Sequence, residues 1–533
     1  MDINIILLNN IAMEINTYLG QKGYTIPKNE LTIEKQKKIR NDLTIKPFSL
    51  REGSPMNNDQ KTFPAYRESS NKFYVPHYYG IENFGSPKQY KISEGNDINL
   101  EFNGKLRENQ EIVVNTYIDH VNKVGFGGGL LELPCAYGKT VLSLNILSHL
   151  KKKTFIIVHK EFLMNQWIER IQQFLPNARV GKIQGQIIDI DDKDIVIGML
   201  QSLSMKEYPT STFESFGLTI IDEVHHISSE VFSNSLFKLV TKYMLGLSAT
   251  MNRKDGTTKV FKMFLGDIVF KGKRDEAREV VVHAIKYQVD DDEFNEVKTD
   301  FRGNPAYSTM ISKLCEYNRR TEFILKIVSD MLSVNPNQQI MILAQYKNIL
   351  KYLHDAIAHR NIATVGYYIG GMKEQALKAT EGKKIVIATY AMAAEALDIK
   401  TLTTLIMATP KTDIEQSVGR ILREKHSSPI VVDIVDNHDL FQNQWRKRKT
   451  FYKKENYKII YTDSPNYTPD TSKWLVVFNP KSSVPSDCSK KTSKNISVKS
   501  NESSDKSITN DSDDEEGPKD KYLMGQCLLK FKK

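Results

Sequence analysis

The chain has few cysteines and no paired cysteine motif. Its four cysteines, Cys135, Cys315, Cys488 and Cys527, lie far apart in 533 residues, without the close spacing of zinc sites or redox centres. This scarcity excludes the disulfide frameworks that stabilise small secreted domains. We therefore expect a protein of a reducing compartment, with neither disulfides nor zinc.

Long apolar runs are also absent. No window approaches the roughly 18 consecutive apolar residues that mark a membrane-spanning helix. Residues 1–8 contain neither a basic leading region nor a small-residue cleavage site. The expectation is a soluble, intracellular protein with no membrane partner.

Positive charge exceeds negative charge along the chain. There are 74 Lys and Arg residues against 64 Asp and Glu residues, which gives a formal net charge of +10. An excess of this size favours a polyanionic partner, and nucleic acid is the leading candidate. Surplus lysine is also common on surfaces that contact only water, so the charge alone does not decide.

The composition changes along the chain and predicts several domains. We assign residues 1–100 to a small mixed N-terminal domain, 101–271 to a first α/β lobe, 272–307 to a connector, 308–455 to a second α/β lobe and 456–480 to a C-terminal extension. Short apolar runs alternate with helical patterns in both lobes, which predicts α/β architecture with doubly wound parallel sheets. Residues 481–520, rich in Ser, Lys and Asp, are expected to be disordered, and 521–533 form a short apolar and basic end.

Three segments of the first 130 residues have specific expectations. Residues 11–19 have a helical pattern, and Gly127–Gly129 are interpreted as a flexible turn. An aromatic cluster covers residues 73–80, where Pro76 and Gly80 indicate strand edges and turns rather than helix. Two interpretations of the cluster are open: it stacks on bases and grips nucleic acid, or it forms the core of a small domain.

A strand, a loop and a helix follow one another from residue 130 to residue 150. The loop ends in Gly138-Lys139-Thr140, and Leu133 stands where the first glycine of a P-loop is usual. N–H groups at the start of the helix would hold phosphate, Lys139 would reach the β- and γ-phosphates, and Thr140 would place its hydroxyl on Mg²⁺. The predicted ATP-binding residues are Gln110, whose amide suits an adenine edge, with Pro134, Cys135, Ala136, Tyr137, Gly138, Lys139 and Thr140.

Two acids follow a later apolar run. Residues 218–221 predict a buried strand that delivers Asp222 and Glu223 at its carboxyl end, where ligands collect in open parallel sheets. Asp222 would hold Mg²⁺, and Glu223 would orient and deprotonate the attacking water. Together with the Gly-Lys-Thr loop, these acids predict an NTPase that uses ATP and Mg²⁺.

The order of further short motifs resembles that of superfamily 2 helicases, in the DExH branch that contains XPB, UvsW and the poxvirus transcript-release helicase. The matching segments are 133–140, 156–160 with Gln166-Trp167, 199–202, 222–225, 248–250, 387–389, 395–399 and 416–423. Ala396 departs from the family pattern, which usually has Gly. The resemblance implies two tandem RecA-like lobes that share one nucleotide.

The resemblance also implies roles for residues outside the phosphate loop. Arg420 and Arg423, three apart on a predicted helix, are expected to act as arginine fingers, with Gln416 on the same face to bind the attacking water. The phosphates of the nucleic-acid backbone are expected to contact His159, Lys160, Gln201, Ser202 and Thr389. The residues expected to couple nucleotide and nucleic acid are His225, Ser248, Ala249, Thr250 and Asp398.

Three functions remain open. The first is an ATP-driven helicase or translocase on DNA or RNA in viral transcription or repair, with the transcription machinery as a candidate partner. The second is a double-strand DNA translocase that displaces polymerase or transcript without long unwinding, and the third is a non-enzymatic nucleic-acid clamp. The abundance of Asn, Ile and Lys fits an AT-rich genome, so a large DNA virus in the host cytoplasm, or its virion, is the expected source.

Overall fold

The computed structural model describes residues 15–47, 62–134, 137–226, 229–251, 256–272, 279–395, 399–422, 426 and 429–480. The described residues up to 272 form one compact unit, and those from 279 onward form another. The predicted disordered tail 481–520 and the end segment 521–533 lie outside the described residues.

The N-terminal part of the first unit is a small α/β domain. Its elements are β1 (Tyr18–Gly20), β2 (Gly23–Pro27), α1 (Ile33–Leu43), β3 (Thr44–Ile45), β4 (Phe63–Pro64), β5 (Arg67–Glu68), β6 (Lys72–Val75), α2 (His77–Phe84) and β7 (Gln89–Tyr90). Five strands form one sheet in the order β5-β6-β2-β1-β7, and β3 pairs with β4 separately.

The aromatic cluster contributes to the core of this domain. Phe73 and Tyr79 are buried with Tyr24, which confirms the core interpretation for these residues. The turn expected at Pro76 and Gly80 is wrong, because α2 begins directly after Pro76. Position 80 of this helix requires glycine, because a Cβ there would lie only 2.2 Å from the Tyr24 ring. The helix expected over residues 11–19 is also wrong in its described part, where Tyr18–Gly20 pairs with β2 and β7 as a strand.

The first lobe follows in the same unit. Its elements are α3 (Glu108–Val124), β8 (Gly127–Glu132), α4 (Lys139–Leu150), β9 (Thr154–Val158), α5 (Glu161–Phe174), β10 (Val180–Gln184), β11 (Ile187–Ile188), β12 (Ile195–Met199), α6 (Leu200–Met205), β13 (Leu218–Ile221), α7 (Ser229–Leu236), β14 (Tyr243–Ser248), α8 (Thr258–Leu265) and β15 (Ile268–Lys271). The strand order is β11-β10-β12-β9-β13-β14-β8-β15, and only the β10–β11 pair among these described strands is antiparallel.

Both faces of this sheet are covered. Along β9, Phe155 and Ile157 belong to one hydrophobic cluster and Ile156 and Val158 to another, so alternate side chains face different layers. A sheet buried on both faces explains why its strands are continuous apolar runs in the sequence. The predicted doubly wound α/β lobe is confirmed. No helix in the described ranges is long and apolar enough to cross a membrane.

The three glycines before the phosphate loop form a strand rather than the expected flexible turn. Gly127–Gly129 are the first half of β8, between β14 and β15. A Cβ on Gly128 would lie 2.3 Å from the carbonyl oxygen of Met244, and one on Gly129 would lie 2.1 Å from Cγ2 of Val269. Close packing therefore requires glycine at a place where glycine usually indicates a turn.

The second unit contains the other lobe. Its elements are β16 (Val281–Tyr287), α9 (Asp292–Asn295), α10 (Tyr307–Glu316), α11 (Asn318–Val334), β17 (Gln339–Ala344), α12 (Lys347–His359), β18 (Val365–Tyr368), α13 (Glu374–Glu381), β19 (Ile385–Thr389), α14 (Tyr390–Glu395), β20 (Leu402–Met407), α15 (Glu415–Val418), β21 (Ile430–Asp436), α16 (Asp439–Lys454), β22 (Lys458–Asp463) and β23 (Leu475–Phe478). The strand order is β18-β19-β17-β20-β21-β16-β22-β23, with only β22–β23 antiparallel in the described sheet.

This sheet is wider than the interval 308–455. Strand β16, from the predicted connector, pairs with β21 and β22, and β22 comes from the predicted C-terminal extension. Two bidentate ion pairs hold the middle and the carboxyl end of β21. Arg320 holds Asp436 at 2.5 and 2.8 Å, and Arg448 holds Asp433 at 2.8 and 2.8 Å, with all four side chains buried. Such pairs fix the direction of the helices that carry the arginines.

A tyrosine on α2 bonds the N-terminal domain to β8 of the first lobe. The hydroxyl of Tyr78 donates to the carbonyl of Gly128 at 2.9 Å and accepts from the N–H of the same residue at 2.5 Å. Tyr78 thus bonds both backbone groups of Gly128, and Nε2 of His120 lies 3.2 Å from the same carbonyl oxygen. The small domain is thus bonded to the strand that leads into the phosphate loop.

Replacing Tyr78 by Phe should lower the free energy of unfolding by about 1–3 kcal/mol, because the N–H of Gly128 loses its partner and the carbonyl keeps only its contact with His120. Urea unfolding of the full chain measures the change. The control is Tyr66→Phe, since the Tyr66 hydroxyl makes no hydrogen bond to any part of the chain that the structure describes. Equal stability of the Tyr78 variant and the unmodified protein would contradict the attachment.

Candidate nucleotide site and the adjoining strand ends

The first lobe brings its chemically distinctive residues to one edge of its sheet. Strands β13, β14 and β8 are adjacent and parallel, so their carboxyl ends lie side by side. The Gly138-Lys139-Thr140 loop follows β8, Asp222 follows β13, and Ser248 ends β14. Ligands bind at this edge in open parallel sheets.

The phosphate loop enters α4 through a glycine in the left-handed region. Gly138 has a φ of 92°, and a Cβ there would lie 2.6 Å from Nε2 of Gln110. The first N–H groups of α4 have no intrahelical partners, which suits a phosphate. Of the predicted loop residues, Cys135 and Ala136 lie outside the described residues, whereas the structure describes Pro134, Tyr137, Gly138, Lys139 and Thr140.

Two side chains hold the backbone of this loop. Gln110 is buried, and its Nε2 donates to the carbonyl of Tyr137 at 2.8 Å while its Oε1 accepts from the N–H of Arg107 at 2.9 Å. The guanidinium of Arg107 donates to the same carbonyl at 2.7 Å. A trans peptide directs its C=O and N–H oppositely, so the N–H of Gly138 points away from both side chains. The adenine contact of Gln110 stays a prediction, and sequence analysis gave no role to Arg107.

Lys139 and Glu223 meet at the centre of the edge. Nζ of Lys139 lies 2.6 Å from Oε1 of Glu223, and both side chains are largely buried. Glu223 has a φ of 48°, a left-handed conformation that costs an L residue about 1–2 kcal/mol. The surrounding structure therefore holds this carboxylate against a local preference, which is typical of functional sites.

Asp222 is buried beside this pair. Burial, and then the neighbouring Glu223 carboxylate, raise the pKa of Asp222 to about 6. Nε1 of the buried Trp167 donates to Oδ2 of Asp222 at 2.9 Å. One carboxylate oxygen thus has a fixed direction. Sequence analysis quoted Trp167 only within a motif, and its contact with Asp222 is visible only in the fold.

A polar chain leads from the acids to the end of β14. Nδ1 of His225 lies 3.4 Å from Oε2 of Glu223 and 2.7 Å from Oγ of the buried Ser248. The hydroxyl of Ser248 donates to the carbonyl of Thr250 and accepts from the N–H of that residue at 3.3 Å. Because the hydroxyl proton goes to Thr250, Nδ1 of His225 carries the proton of the 2.7 Å bond. Three of the predicted coupling residues are therefore connected, Ala249 lies between two of them, and Asp398 lies outside the described residues.

The residues predicted to contact nucleic acid lie at neighbouring strand ends. His159 and Lys160 follow β9, and Gln201 and Ser202 follow β12, the strand beside β9. Nε2 of Gln201 donates to the carbonyl of His159 at 3.0 Å, and Oγ of Ser202 accepts from the N–H of Gly185 at 2.9 Å. The ends of β10, β12 and β9 are joined in this way. Their contacts with phosphate stay a prediction.

The second lobe carries the remaining predicted residues. Thr389 ends β19, and its hydroxyl lies 3.5 Å from the N–H of Met392. Gln416 lies on α15, but Arg420 lies on a separate 3₁₀ turn, Gly419–Leu422, rather than on one continuous helix. Arg423 lies outside the described residues.

Two family models match the chain at these lobes. The model described as Type III restriction enzyme, res subunit, matches residues 103–253. The model described as Helicase conserved C-terminal domain matches residues 322–425.

Viral relatives match over most of the chain. L396 of Acanthamoeba polyphaga mimivirus, named as an ATP-dependent RNA helicase, is 36% identical over 464 residues, which are 84% of this chain and 87% of L396. The chain belongs to the superfamily 2 helicases. The helicase is also 28% identical to helicase 161L of Invertebrate iridescent virus 6, over 68% of this chain and 85% of that protein. QP509L of African swine fever virus, named as an ATP-dependent RNA helicase, is 27% identical over 67% of this chain and 74% of its own.

The helicase couples ATP hydrolysis to translocation on nucleic acid, as its two family domains and its mimivirus relative show. Among solved structures, bacteriophage T4 UvsW is 17% identical and covers 85% of this chain and 100% of its own, with a TM-score of 0.33. Because that TM-score is low, the architecture given above rests on the strand order of the helicase itself.

Replacing Asp222 by Asn should stabilise the protein at neutral pH. The carboxyl has a pKa of about 6 in the fold, against about 3.9 for an unperturbed Asp, so the folded state loses stability as pH rises from about 4 to 6. At neutral pH that loss is at most about 3 kcal/mol, since one pKa unit corresponds to about 1.4 kcal/mol, and Asn avoids it.

Thermal unfolding across pH measures this effect. The variant should have the higher Tm at neutral pH, and its advantage should vanish near pH 4, where Asp222 is protonated. The matched control is Asp267→Asn, on an exposed side chain 3.0 Å from Lys262. A lower Tm for the Asp222 variant at neutral pH would rule out the raised pKa.

Proposed function

We propose that this helicase hydrolyses Mg²⁺·ATP at the edge formed by β8, β14 and β13, and that it moves along RNA in viral transcription. The observation that carries the site is the 2.6 Å contact of Lys139 with Glu223, which joins the phosphate-loop ammonium to the proposed base. RNA is favoured as substrate because the mimivirus and African swine fever virus relatives are named as RNA helicases.

Lys139 and Glu223 would act in succession. An ammonium at a helix start compensates the charge of the β- and γ-phosphates. A phosphate that takes Lys139 would release Glu223 from its ion pair, so that the carboxylate can orient water and accept its proton. The strained backbone of Glu223 supports a functional role for its position.

The donor set at this edge fits Mg²⁺. Thr140 supplies a hydroxyl and Asp222 a carboxylate, and such oxygen ligands are the ones that Mg²⁺ prefers. The bond from Trp167 to Oδ2 fixes the orientation of the Asp222 carboxylate that would hold the ion. When bound, the ion would neutralise charge on the phosphate oxygens. The positive charge of the ion would also lower the pKa of Asp222, which burial raises.

The nucleic-acid track would occupy the ends of β9 and β12. These strands continue the same sheet beside β13, so the two sites share one edge. His159, Lys160, Gln201 and Ser202 offer backbone, amide and hydroxyl groups that suit phosphates and carry no base code. Thr389 would hold backbone phosphate from the second lobe.

The second lobe would complete the catalytic set. Arg420 and Arg423 would stabilise charge on the γ-phosphate, and Gln416 would bind the attacking water. The chain of His225, Ser248 and Thr250, together with Asp398, would transmit the state of the nucleotide to the nucleic acid.

Lys139→Ala and Glu223→Gln should both abolish most ATPase activity but should differ in nucleotide affinity. The alanine variant loses charge-assisted bonds of about 1.5–3 kcal/mol, so its Kd for ATP should rise about 10- to 100-fold. The glutamine variant loses the base and should bind ATP at least as well as the unmodified protein. Equilibrium binding of a fluorescent ATP analogue measures both, with exposed Lys123→Ala as control.

The same assay series tests the substrate. ATPase rates with RNA, single-stranded DNA and duplex DNA are compared side by side, and RNA should stimulate most. Equal ATP affinity in the two variants would overturn the assigned roles, and stronger stimulation by duplex DNA would overturn the choice of RNA.

Arg420→Ala and Arg423→Ala should each reduce kcat by about 100-fold or more, since arginine fingers act on transition-state charge. Affinity for nucleic acid measured without ATP should stay within about twofold, because the fingers do not contact phosphates of the backbone. Steady-state ATPase and oligonucleotide anisotropy provide the two measurements. Normal ATPase with weakened nucleic-acid binding would show that the arginines form a basic binding surface instead.

A further inference from the structure

The N-terminal sheet has two faces with different aromatic residues. Phe73 and Tyr24 lie on the buried face, which packs in the core of the domain. Tyr18 and Tyr74 lie on the other face, because both are paired across the sheet with Thr25 of β2. Both of these tyrosines are half-buried. The two tyrosines on the second face therefore do not belong to the core of the domain.

Lysines surround the two outward tyrosines. Nζ of Lys91 lies 4.4 Å and Nζ of Lys72 lies 5.3 Å from the ring centre of Tyr18. Nζ of Lys22 lies 5.6 Å from the ring centre of Tyr74, and Lys72 also donates to the hydroxyl of Tyr18 at 3.2 Å. We name these five residues the tyrosine–lysine face.

The charge of this face is not compensated. Within the described structure, Lys22, Lys72 and Lys91 form no ion pair and contact aromatic rings instead. Two other cations of the same domain differ in this respect, because Arg40 on α1 and Lys28 directly after β2 both lie 3.0 Å from the carboxylate of Glu68. A cation over a ring keeps N–H donors for other partners, since an ammonium has three.

We propose that the tyrosine–lysine face binds the sugar–phosphate backbone of the nucleic acid on which the motor acts. Three uncompensated ammonium groups on one small sheet complement a polyanion, and the rings hold them at fixed positions. The proposal rests on the function proposed above and adds a second contact outside the motor lobe. It assigns the backbone, not the bases, because each ring is already covered by at least one lysine.

The tyrosine–lysine face belongs to a domain that is bonded to the first lobe. Tyr78 bonds the N-terminal domain to Gly128 of β8, the strand that ends in the phosphate loop. A backbone segment held by the face is therefore fixed relative to the first lobe. Such a contact would keep the helicase on its track without taking part in hydrolysis.

The test compares two triple variants of the full chain. Lys22→Gln with Lys72→Gln and Lys91→Gln removes three charges from the face. The matched control, Lys35→Gln with Lys37→Gln and Lys38→Gln, removes three charges from exposed positions of α1 in the same domain. Anisotropy of labelled mixed-sequence RNA and duplex DNA, without ATP, measures Kd across a range of salt concentrations.

The face variant should bind at least about tenfold more weakly at low salt, and the slope of log K against log salt should decrease by about 2–3, as expected for three lost phosphate contacts. The control should stay within about twofold. Equal losses in the two triple variants, or an unchanged slope in the face variant, would overturn the proposal.

A second variant tests the rings. Tyr18→Leu with Tyr74→Leu keeps the three lysines but removes the aromatic rings that hold them, so this variant should also bind nucleic acid more weakly. Unchanged affinity would overturn the part assigned to the rings. Because these assays contain no ATP, a failure of the motor proposal would show in the ATPase assays and not here.

Discussion

The ion pair between Lys139 and Glu223 is the contact on which the first lobe depends. It joins a helix start to a strained carboxylate, and it lies next to a second carboxylate that is buried. Two like charges in a buried place cost free energy, as the raised pKa of Asp222 shows. Other side chains hold the charged groups in place despite this cost. Trp167 donates to one acid, and Gln110 bonds the loop that carries the lysine. The site is built to be stabilised by a ligand.

The two sites proposed for the first lobe lie on one edge of its sheet. Because β12, β9, β13, β14 and β8 are neighbours in this order, the strand ends proposed for nucleic acid continue directly into those proposed for nucleotide. Coupling then needs no long pathway. The contacts of His225 with Glu223 and Ser248 cover the distance from the proposed base to the end of β14.

The second sheet repeats the architecture without a phosphate loop of its own. Two buried arginine–aspartate pairs hold its β21. These pairs orient the helices that carry the arginines but add little net stability, because the free energy of removing the charges from water offsets much of their attraction. Strand β21 lies beside β20, and the 3₁₀ turn that carries Arg420 comes after β20 in the chain.

The sequence by itself determined the strands, the motifs and their order. The run Leu218–Ile221 forms a strand with the predicted limits, because a parallel strand buried on both faces must be apolar throughout. Only the tertiary structure decided what depends on residues far apart in the chain. Trp167 lies 55 residues from the aspartate that it positions. Positions 128 and 129 of β8 must be glycine because residues from β14 and β15 leave no room for a Cβ there. The local sequence pattern indicates which face of a helix or strand is apolar. It does not indicate which side chain from a distant element will contact that face.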